Sequence, residues 1–398
     1  MASLERASAT HQLASHAICV AYYNMRKTFK YRLNPTPAQE RALHATLDEC
    51  RWLYNRLLEE RKMAYETTGT GPTLYGQQAA FGALKVARPA LAGVHSQVLQ
   101  NVAVRIDLAF QAFFRRVKAG EKALGYPRFR GRERYDSFCY PQSGFTLDAD
   151  HGRVFLSKIG HVKAVIHRPL DGTVKTCCVR RTGAGKWFVA FSCEVEARPL
   201  PATETAVGID VGLEKFATFS TGEQIANPRF FRRDERDLAR AQRRLSKEPK
   251  PARGERATPD RRKRRTVVAR IHERIANRRA NFAHQESRKA VNAYDVIAVE
   301  DLSVNQMVHT HCLAKSIHDA AWRKFIAYLT YKAEDAGRRV MAVNPAYTSQ
   351  TCSRCGHRAR KELSDRVHRC SCCGLTLDRD HNAALNIVAL GLQSLARA

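Results

Sequence analysis

The chain has 398 residues, with 67 Lys+Arg against 38 Asp+Glu and a formal net charge of +29. Apolar residues make up 44% and charged residues 26%, which excludes a disordered, collagen-like or small disulfide-stapled chain. The length fits two or three domains. So large a positive excess points to a polyanionic partner and away from a neutral metabolic enzyme.

No stretch approaches the roughly 18 apolar residues of a membrane span, so no membrane partner is expected. Residues 1–24 end in a short apolar run, Ala17 to Tyr23, but Glu5 interrupts the start and no cleavage pattern follows. That is not a signal peptide. Met25 opens a cleaner domain start, and residues 1–24 read as a flexible extension. Cys19, Cys50, Cys139, Cys193 and Cys312 are scattered singly, and Cys177 and Cys178 are neighbours within one apolar stretch. Only the C-terminal cysteines cluster, and their spacing reads as metal rather than disulfide. A reducing cytoplasm follows.

Lys27-Thr-Phe-Lys-Tyr-Arg-Leu33 alternates polar and apolar residues, as a strand with one buried face does. Thr36, Pro37 and Gln39 then make a helix start: a cap, a first-position proline and a capping-box partner. Leu43, Leu47, Cys50, Tyr54, Leu57 and Leu58 follow at helical spacing. A second helix is predicted from Ser96 to Lys118. Between Pro127 and Pro199 the period changes to short strands over 153–156, 162–166, 173–179 and 187–195, a small barrel or sandwich pattern. Gly183-Ala-Gly185-Lys186 resembles half of a phosphate loop. Arg180 and Trp187 stand where that loop needs Gly and Ser/Thr, so a hairpin turn is the better reading.

After Pro199-Leu-Pro201, Thr205 to Ser220 reads as a β-hairpin. Residues 229–289 carry 22 Lys/Arg against 8 acids in a mostly helical pattern, with a loop expected over 250–265. So large an excess favours a nucleic-acid contact, with Arg261, Arg262, Lys263, Arg264 and Arg265 as its densest run. Tyr294 to Val299 reads as a buried strand, Ser316 to Ala336 as one helix, and Arg338 to Val343 as another strand.

Cys352-Ser-Arg-Cys355-Gly356 and Cys370-Ser-Cys372-Cys373-Gly374 form two knuckles. Four thiolates suit a tetrahedral structural Zn²⁺, and a catalytic zinc would keep an open position. The ligand set is Cys352, Cys355, Cys370 and Cys373, with Cys372 spare. Arg354 and its neighbours add positive charge to this ribbon.

Three acids stand in suggestive places. Asp210 interrupts the apolar strand 206–213, Glu300 ends the strand 296–300, and Asp380 opens a helix. Taken singly, each has a plain structural reading as a turn, strand-end or helix-cap residue. Brought together, they would suit hard Mg²⁺ ions. A pair of these about 4 Å apart can activate water and stabilise the leaving oxygen of a phosphodiester.

The order of motifs resembles the TnpB family, transposon-encoded RNA-guided nucleases related to type V CRISPR effectors. The matching stretches are Gly208-Ile-Asp210-Val-Gly-Leu, Val299-Glu300-Asp-Leu, Ser316-Ile-His-Asp-Ala-Ala-Trp322, Thr348-Ser-Gln-Thr-Cys352-Ser-Arg-Cys355-Gly, Cys370-Ser-Cys-Cys373-Gly and Asp378-Arg-Asp380-His-Asn-Ala-Ala-Leu-Asn-Ile387. Tyr126-Pro-Arg128-Phe129-Arg and Tyr31-Arg-Leu-Asn-Pro35 also fit. The resemblance implies a multidomain α+β chain. A β-barrel wedge with an inserted helical recognition lobe precedes a ribonuclease-H-like (RuvC) α/β domain with an inserted zinc ribbon. The implied boundaries are 1–24 extension, 25–34 first wedge strand, 35–122 recognition lobe and 123–200 wedge barrel. Then come 201–345 nuclease domain with the basic insertion 229–289, 346–375 zinc ribbon, and 376–398 final catalytic motif and helix.

The resemblance makes Asp210, Glu300 and Asp380 the ligands of two catalytic Mg²⁺ ions. Asp378 is set aside, because the family's ligand precedes the x-Asn-Ala-Ala step. It implies a guide RNA from the transposon end and a double-stranded DNA target beside a short duplex motif, with no protein partner required and the cytoplasm as workplace. It places Tyr75 and Gln100 where the recognition lobe meets the target-adjacent duplex. Tyr54, Tyr75 and Phe129 are candidates for stacking on bases and equally for the core, and Arg128 is a candidate nucleic-acid contact. The alternatives are an RNA-guided DNA-binding repressor without cleavage and a zinc-ribbon DNA-binding transposase accessory protein.

Overall fold

The computed structural model describes residues 24–252, 255–309, 311–362 and 365–397. The extension expected over 1–24 thus lies outside the described residues, except for its last position. The described chain falls into two compact units, Asn24–Val195 and Glu196–Ala398.

In the first unit, strand β1 (Asn24–Asn34) buries Phe29, Tyr31 and Leu33 on alternate positions, as a half-buried strand must. Helix α1 (Pro37–Thr68) starts at the expected capping box. The Gln39 amide donates to Thr36 Oγ1 at 3.3 Å, and the Thr36 amide donates to Gln39 Oε1 at 3.0 Å. Such caps are worth about 0.5–2 kcal/mol. It stops at Gly69, whose φ of 72° most side chains avoid. Helices α2 (Leu74–Ala79), α3 (Phe81–Ala87) and α4 (Ser96–Lys118) follow. The last of these has the predicted bounds.

The strands that follow are β2 (Ser137–Tyr140), β3 (Phe145–Asp148), β4 (Arg153–Leu156), β5 (Gly160–Val165), β6 (Thr173–Arg181) and β7 (Trp187–Glu196). Together with β1 they form one sheet in the order β2-β6-β7-β1-β5-β4-β3. Its two edge strands, β2 and β3, are consecutive in the chain. Their link, residues 141–144, reaches at most about 18 Å, whereas seven flat strands span about 29 Å. The sheet must therefore curl until its edges nearly meet. Accordingly the Tyr140 and Phe145 rings lie 6.3 Å apart, and the Tyr140 hydroxyl of β2 donates to Ser157 O, just past β4, at 3.0 Å. Phe138, Trp187 and Phe191 fill this curl. Gly183-Ala-Gly185-Lys186 is the β6–β7 hairpin turn, closed by the Thr182 amide on Lys186 O at 2.8 Å.

One expectation fails in this unit, and one open choice closes. Cys139 and Cys178 are not unpaired: they occupy opposed positions of β2 and β6 and form a disulfide. Their separation of 39 residues hid the cross-strand register that brings them together. Of the two readings of Tyr54, stacking platform or core, the structure has the core: it is buried against Tyr135 under the Arg130 guanidinium.

In the second unit, β8 (Ala206–Val211), β9 (Lys215–Phe219), β10 (Gln224–Ala226), β11 (Val296–Glu300) and β12 (Arg339–Val343) make a sheet ordered β10-β9-β8-β11-β12. The first three strands are antiparallel, and β11 runs parallel to both β8 and β12. Between β10 and β11 come helices α5 (Phe230–Ser246) and α6 (Pro259–Ala293). The latter begins earlier than expected, because Pro259 sits at its first position behind the Thr258 cap. There a missing N–H costs nothing. Then come α7 (Val304–Met307), α8 (His311–Ala320) and α9 (Trp322–Asp335). After the short pair β13 (Val367–Arg369) and β14 (Thr376–Asp378) comes the last helix, α10 (Arg379–Ala396).

The single helix expected over 316–336 is broken at Ala321, whose φ is 57°. The break serves two masters. Asp319 accepts hydrogen bonds from the Phe231 amide at 2.8 Å and from Arg279 at 2.7 Å, thereby capping α5. Trp322 and Phe325 turn into the core, where Phe325 and Phe282 both pack on Phe216.

The sheet has two distinct faces. Val207, Ile209, Ile297 and Val299 share a cluster with residues of α6 and α9, whereas Ala298, Met341 and Val343 pack with Ile387 of α10. At Gly208 a β-carbon would lie 2.1 Å from Ala384 O, so α10 rests directly on the backbone of β8. Among the described residues, no helix is long and apolar enough to cross a membrane.

Candidate functional site

Side chains alternate along a strand, so Asp210 shares the α10 face with Gly208, and Glu300 shares it with Ala298. The parallel register pairs Ala298 with Gly208 and Val299 with Ile209. Asp210 and Glu300 therefore stand side by side at the carboxyl ends of adjacent strands, where open α/β sheets place their ligands. Asp380 joins them from the first turn of α10.

The next two acids divide their work. Asp378 is the N-cap of α10: its carboxylate accepts from the Asp380 amide at 2.9 Å and the His381 amide at 3.2 Å, and it pairs with Lys215 at 3.1 Å. Burial pushes its pKa up, but the Lys215 and His381 hydrogen bonds outweigh that and hold it below the usual range. Asp380 is left free of capping duty. Its partner is the Arg379 guanidinium, which reaches Oδ1 at 3.1 Å. That neighbouring cation escaped notice in the sequence, since a helix places residues i and i+1 on different faces and adjacency carries no signal.

The acids feel one another. Burial raises Asp210 well above the usual carboxylate range, and the charges of Glu300 and Asp380 push it further. Burial also raises Glu300, offset in part by a hydrogen bond from Thr348 and reinforced by Asp380. Asp210 and Glu300 both keep partial exposure. Mutually repelling, poorly solvated carboxylates at a surface are a donor set that fits a hard divalent cation. Their oxygens are less tightly gathered than the sulfurs of the second site.

That second site is compact. The sulfurs of Cys352, Cys355, Cys370 and Cys373 all lie within 4.8 Å of one another. Cys352 Sγ is 3.6 Å from Cys373 Sγ, and Cys355 Sγ is 3.5 Å from Cys370 Sγ. A tetrahedron with Zn–S bonds of about 2.3 Å has edges of about 3.8 Å, so the cage has the size of a zinc site. Each knuckle is folded alike. Gly356 and Gly374, at φ of 76° and 71°, donate their amides to the carbonyls of Cys352 and Cys370. Backbone amides of Cys373 and Cys372 pull the Cys370 thiol down to about 6 against the opposing effect of burial. Cys372 is exposed and outside the cage.

The remaining candidates are dispersed. Tyr75 on α2 is exposed, as are Gln100 on α4 and Arg128. Gln78 Nε2 reaches Gln100 O at 3.4 Å, so α2 and α4 carry their two candidates side by side. Arg262, Lys263, Arg264 and Arg265 face solvent on α6, with Arg264 paired to Glu248 at 3.0 Å. Arg261 instead bonds Leu245 O and Glu248 O, closing the C-terminal end of α5. Arg354 is exposed beside the cage. The sequence pattern missed a cleft of about 420 Å³ between α5 and α6, lined by Arg240, Arg244, Lys263 and Arg264 together with Asp237 and Asp260 of the same two helices.

Comparison with known proteins adds to this geometry. Residues 190–311 match the family described as Probable transposase, 25–70 a Helix-turn-helix domain, and 322–387 a Cas12f1-like TNB domain. Over 25–70 the structure itself has β1 and the single long helix α1. The chain is 35% identical to a Streptomyces pristinaespiralis protein named Putative RNA-guided DNA endonuclease, over 94% of this chain and 91% of that one. The chain belongs to the TnpB family. An Escherichia coli K12 member, Putative RNA-guided DNA endonuclease InsQ, is 33% identical over 93% of both chains. Among solved structures, the chain resembles that of a Cas12f1-sgRNA-target DNA complex. The match has a TM-score of 0.54 and 14% identity and covers 92% of this chain and 99% of that one, so the fold is shared.

Proposed function

We propose that this TnpB-family chain is an RNA-guided DNA endonuclease. It would bind a guide RNA from the transposon end and cut matching double-stranded DNA beside a short duplex motif. The observation that carries the reading is the convergence of Asp210, Glu300 and Asp380 on one sheet face, where burial and mutual repulsion raise Asp210 and Glu300. Two Mg²⁺ ions held by these three acids would activate water and stabilise the leaving oxygen. Asp378, committed to capping and to Lys215, would not be a ligand. Arg379 would keep Asp380 oriented while nothing else neutralises it.

On this reading 25–34 and 123–200 form the wedge barrel, with the lobe 35–122 between them. The sheet order β10-β9-β8-β11-β12 supports a ribonuclease-H-like nuclease domain over 201–345 and 376–398. The ribbon 346–375 is inserted and held by one structural Zn²⁺ on Cys352, Cys355, Cys370 and Cys373. Base pairing would read the target while cationic side chains grip backbone. Arg262 to Arg265, Arg128 and Arg354 would be among these, with Tyr75 and Gln100 toward the duplex motif. Such an enzyme would work in the cytoplasm, on nucleoid DNA.

The deciding experiment is cleavage of a guide-matched plasmid by the purified RNA complex, alongside Asp210→Ala. The expectation is Mg²⁺-dependent double-strand cuts that vanish in the variant while target binding persists. Equal cutting by the variant would refute the site, and joining of transposon ends would favour a transposase.

A further inference from the structure

Glu300 is tied to the first cysteine knuckle by an unbroken run of hydrogen bonds. Thr348, itself buried, donates from Oγ1 to Glu300 Oε1 at 2.6 Å. Asn386 of α10 donates from Nδ2 to Thr348 O and to Thr351 O, each at 2.7 Å. One turn earlier, the fully buried Asn382 donates to Thr351 O at 2.8 Å and accepts from the Ser353 amide at 3.0 Å. Thr351 and Ser353 flank Cys352. The same helix carries Asp380 in its first turn.

The backbone beside Thr348 is also constrained. Tyr347 has a φ of 68°, the left-handed region that a tyrosine disfavours. Amides of Gln350 and Thr351 hold it there through its carbonyl, both at 3.0 Å. A strained residue is kept only where its surroundings determine it. Here they aim the Thr348 hydroxyl at the acid.

We propose that Thr348 is a positioning residue for Glu300, and that Asn382 and Asn386 make α10 a strap coupling the four-cysteine site to the carboxylate site. This rests on the reading that Asp210, Glu300 and Asp380 hold divalent ions. The Thr348 hydroxyl occupies one lone pair of Oε1 and fixes the carboxylate's orientation, leaving the other oxygen to face a cation. Partners of this kind commonly change metal affinity by about 10–100-fold. Thr348 O shares the Asn386 side-chain amide with Thr351 O, next to Cys352, and Asn382 ties Thr351 to Ser353 on the other side, so loosening the knuckle should loosen the acid.

The test measures Mn²⁺, as a stand-in for Mg²⁺, bound by the full chain with its copurified RNA and no DNA. Free Mn²⁺ is followed by electron paramagnetic resonance, and binding by the Asp210→Ala complex is subtracted. Thr348→Val should weaken the Asp210-dependent binding about tenfold with zinc content and cooperative unfolding retained, and Thr348→Ser should restore it. Asn386→Ala should weaken it too. Cys352→Ser should lose zinc and weaken Mn²⁺ binding. Adding Thr348→Val to it should cost far less than tenfold more, because coupled residues are not additive. Wild-type Mn²⁺ affinity in Thr348→Val overturns the positioning role, and full additivity in the double variant overturns the strap. No Asp210-dependent Mn²⁺ in the wild type sinks the ion-site reading itself, and this inference with it.

Discussion

Asp210 and Glu300 occupy neighbouring positions at the ends of two parallel strands, one step beyond the Ile209–Val299 pair. Burial first, and mutual repulsion second, raises the pKa of Asp210. Such a group holds its proton longer in the folded chain than in the unfolded one. Its stabilising contribution is complete below the ordinary carboxylate pKa and is lost as pH rises through the raised value. In magnesium-free buffer the melting temperature should therefore fall as pH climbs from the ordinary carboxylate pKa through the raised one. Asp210→Asn should flatten that slope and raise the melting temperature at the alkaline end, by about 2–4 °C per kcal/mol recovered. Added Mg²⁺ should stabilise the wild type and not the variant, since a ligand of the folded state shifts the equilibrium. Calorimetry across pH checks this. A flat wild-type profile would show that the two acids are not straining against each other.

Gly208 governs how near Asp380 comes to Asp210. A β-carbon at Gly208 would stand 2.1 Å from Ala384 O and 2.7 Å from Val388 N, both backbone atoms of α10. Neither can swing aside, so Gly208→Ala must lift the helix that carries Asp380. Overpacking of this kind costs about 1–3 kcal/mol. Cleavage should fall more than tenfold, because small displacements of catalytic groups cost about 100-fold. Denaturant unfolding and a cleavage time course measure both. A variant of normal activity would mean that the helix position does not set the site.

Much of this was legible in the chain, for identifiable reasons. The Thr36 capping box, the alternation of β1 and the two Cys knuckles are local signals, complete within a few residues. The three acids were legible individually, as charges interrupting apolar runs, and their assembly followed from motif order. What stayed hidden depends on register and on partners far away. Cys139 and Cys178 meet only because β2 pairs with β6. The break at Ala321 answers to Asp319 capping a helix 88 residues away. Thr348 looks like an ordinary loop threonine until Glu300 arrives above it.

The basic helices hold two kinds of arginine. Arg274 and Arg278 both pair with the buried Asp234, at 2.9 and 3.2 Å. Arg240 and Arg244, one turn apart, line the α5–α6 cleft with no side-chain partner among the described residues. The first pair is committed to folding and the second is available to phosphate. Arg240→Ala and Arg244→Ala should each weaken RNA binding and reduce its salt dependence by about one counterion, at unchanged melting temperature. Arg274→Ala should do the reverse: it leaves Asp234 with fewer donors and lowers stability by about 1–3 kcal/mol. Filter binding across salt concentrations, with thermal melts, separates the two kinds.

The two neighbouring cysteines of the second knuckle should differ sharply. Cys373 belongs to the four sulfurs that lie within 4.8 Å of one another, whereas Cys372 points to solvent outside them. Cys372→Ser should retain one zinc per chain by elemental analysis and cleave normally. Cys352→Ser should lose the zinc and destabilise the segment around it, because metal binding here is coupled to folding. Limited proteolysis should then cut within 346–375 before it cuts the barrel. Retention of zinc by Cys352→Ser, or its loss from Cys372→Ser, would reassign the ligand set.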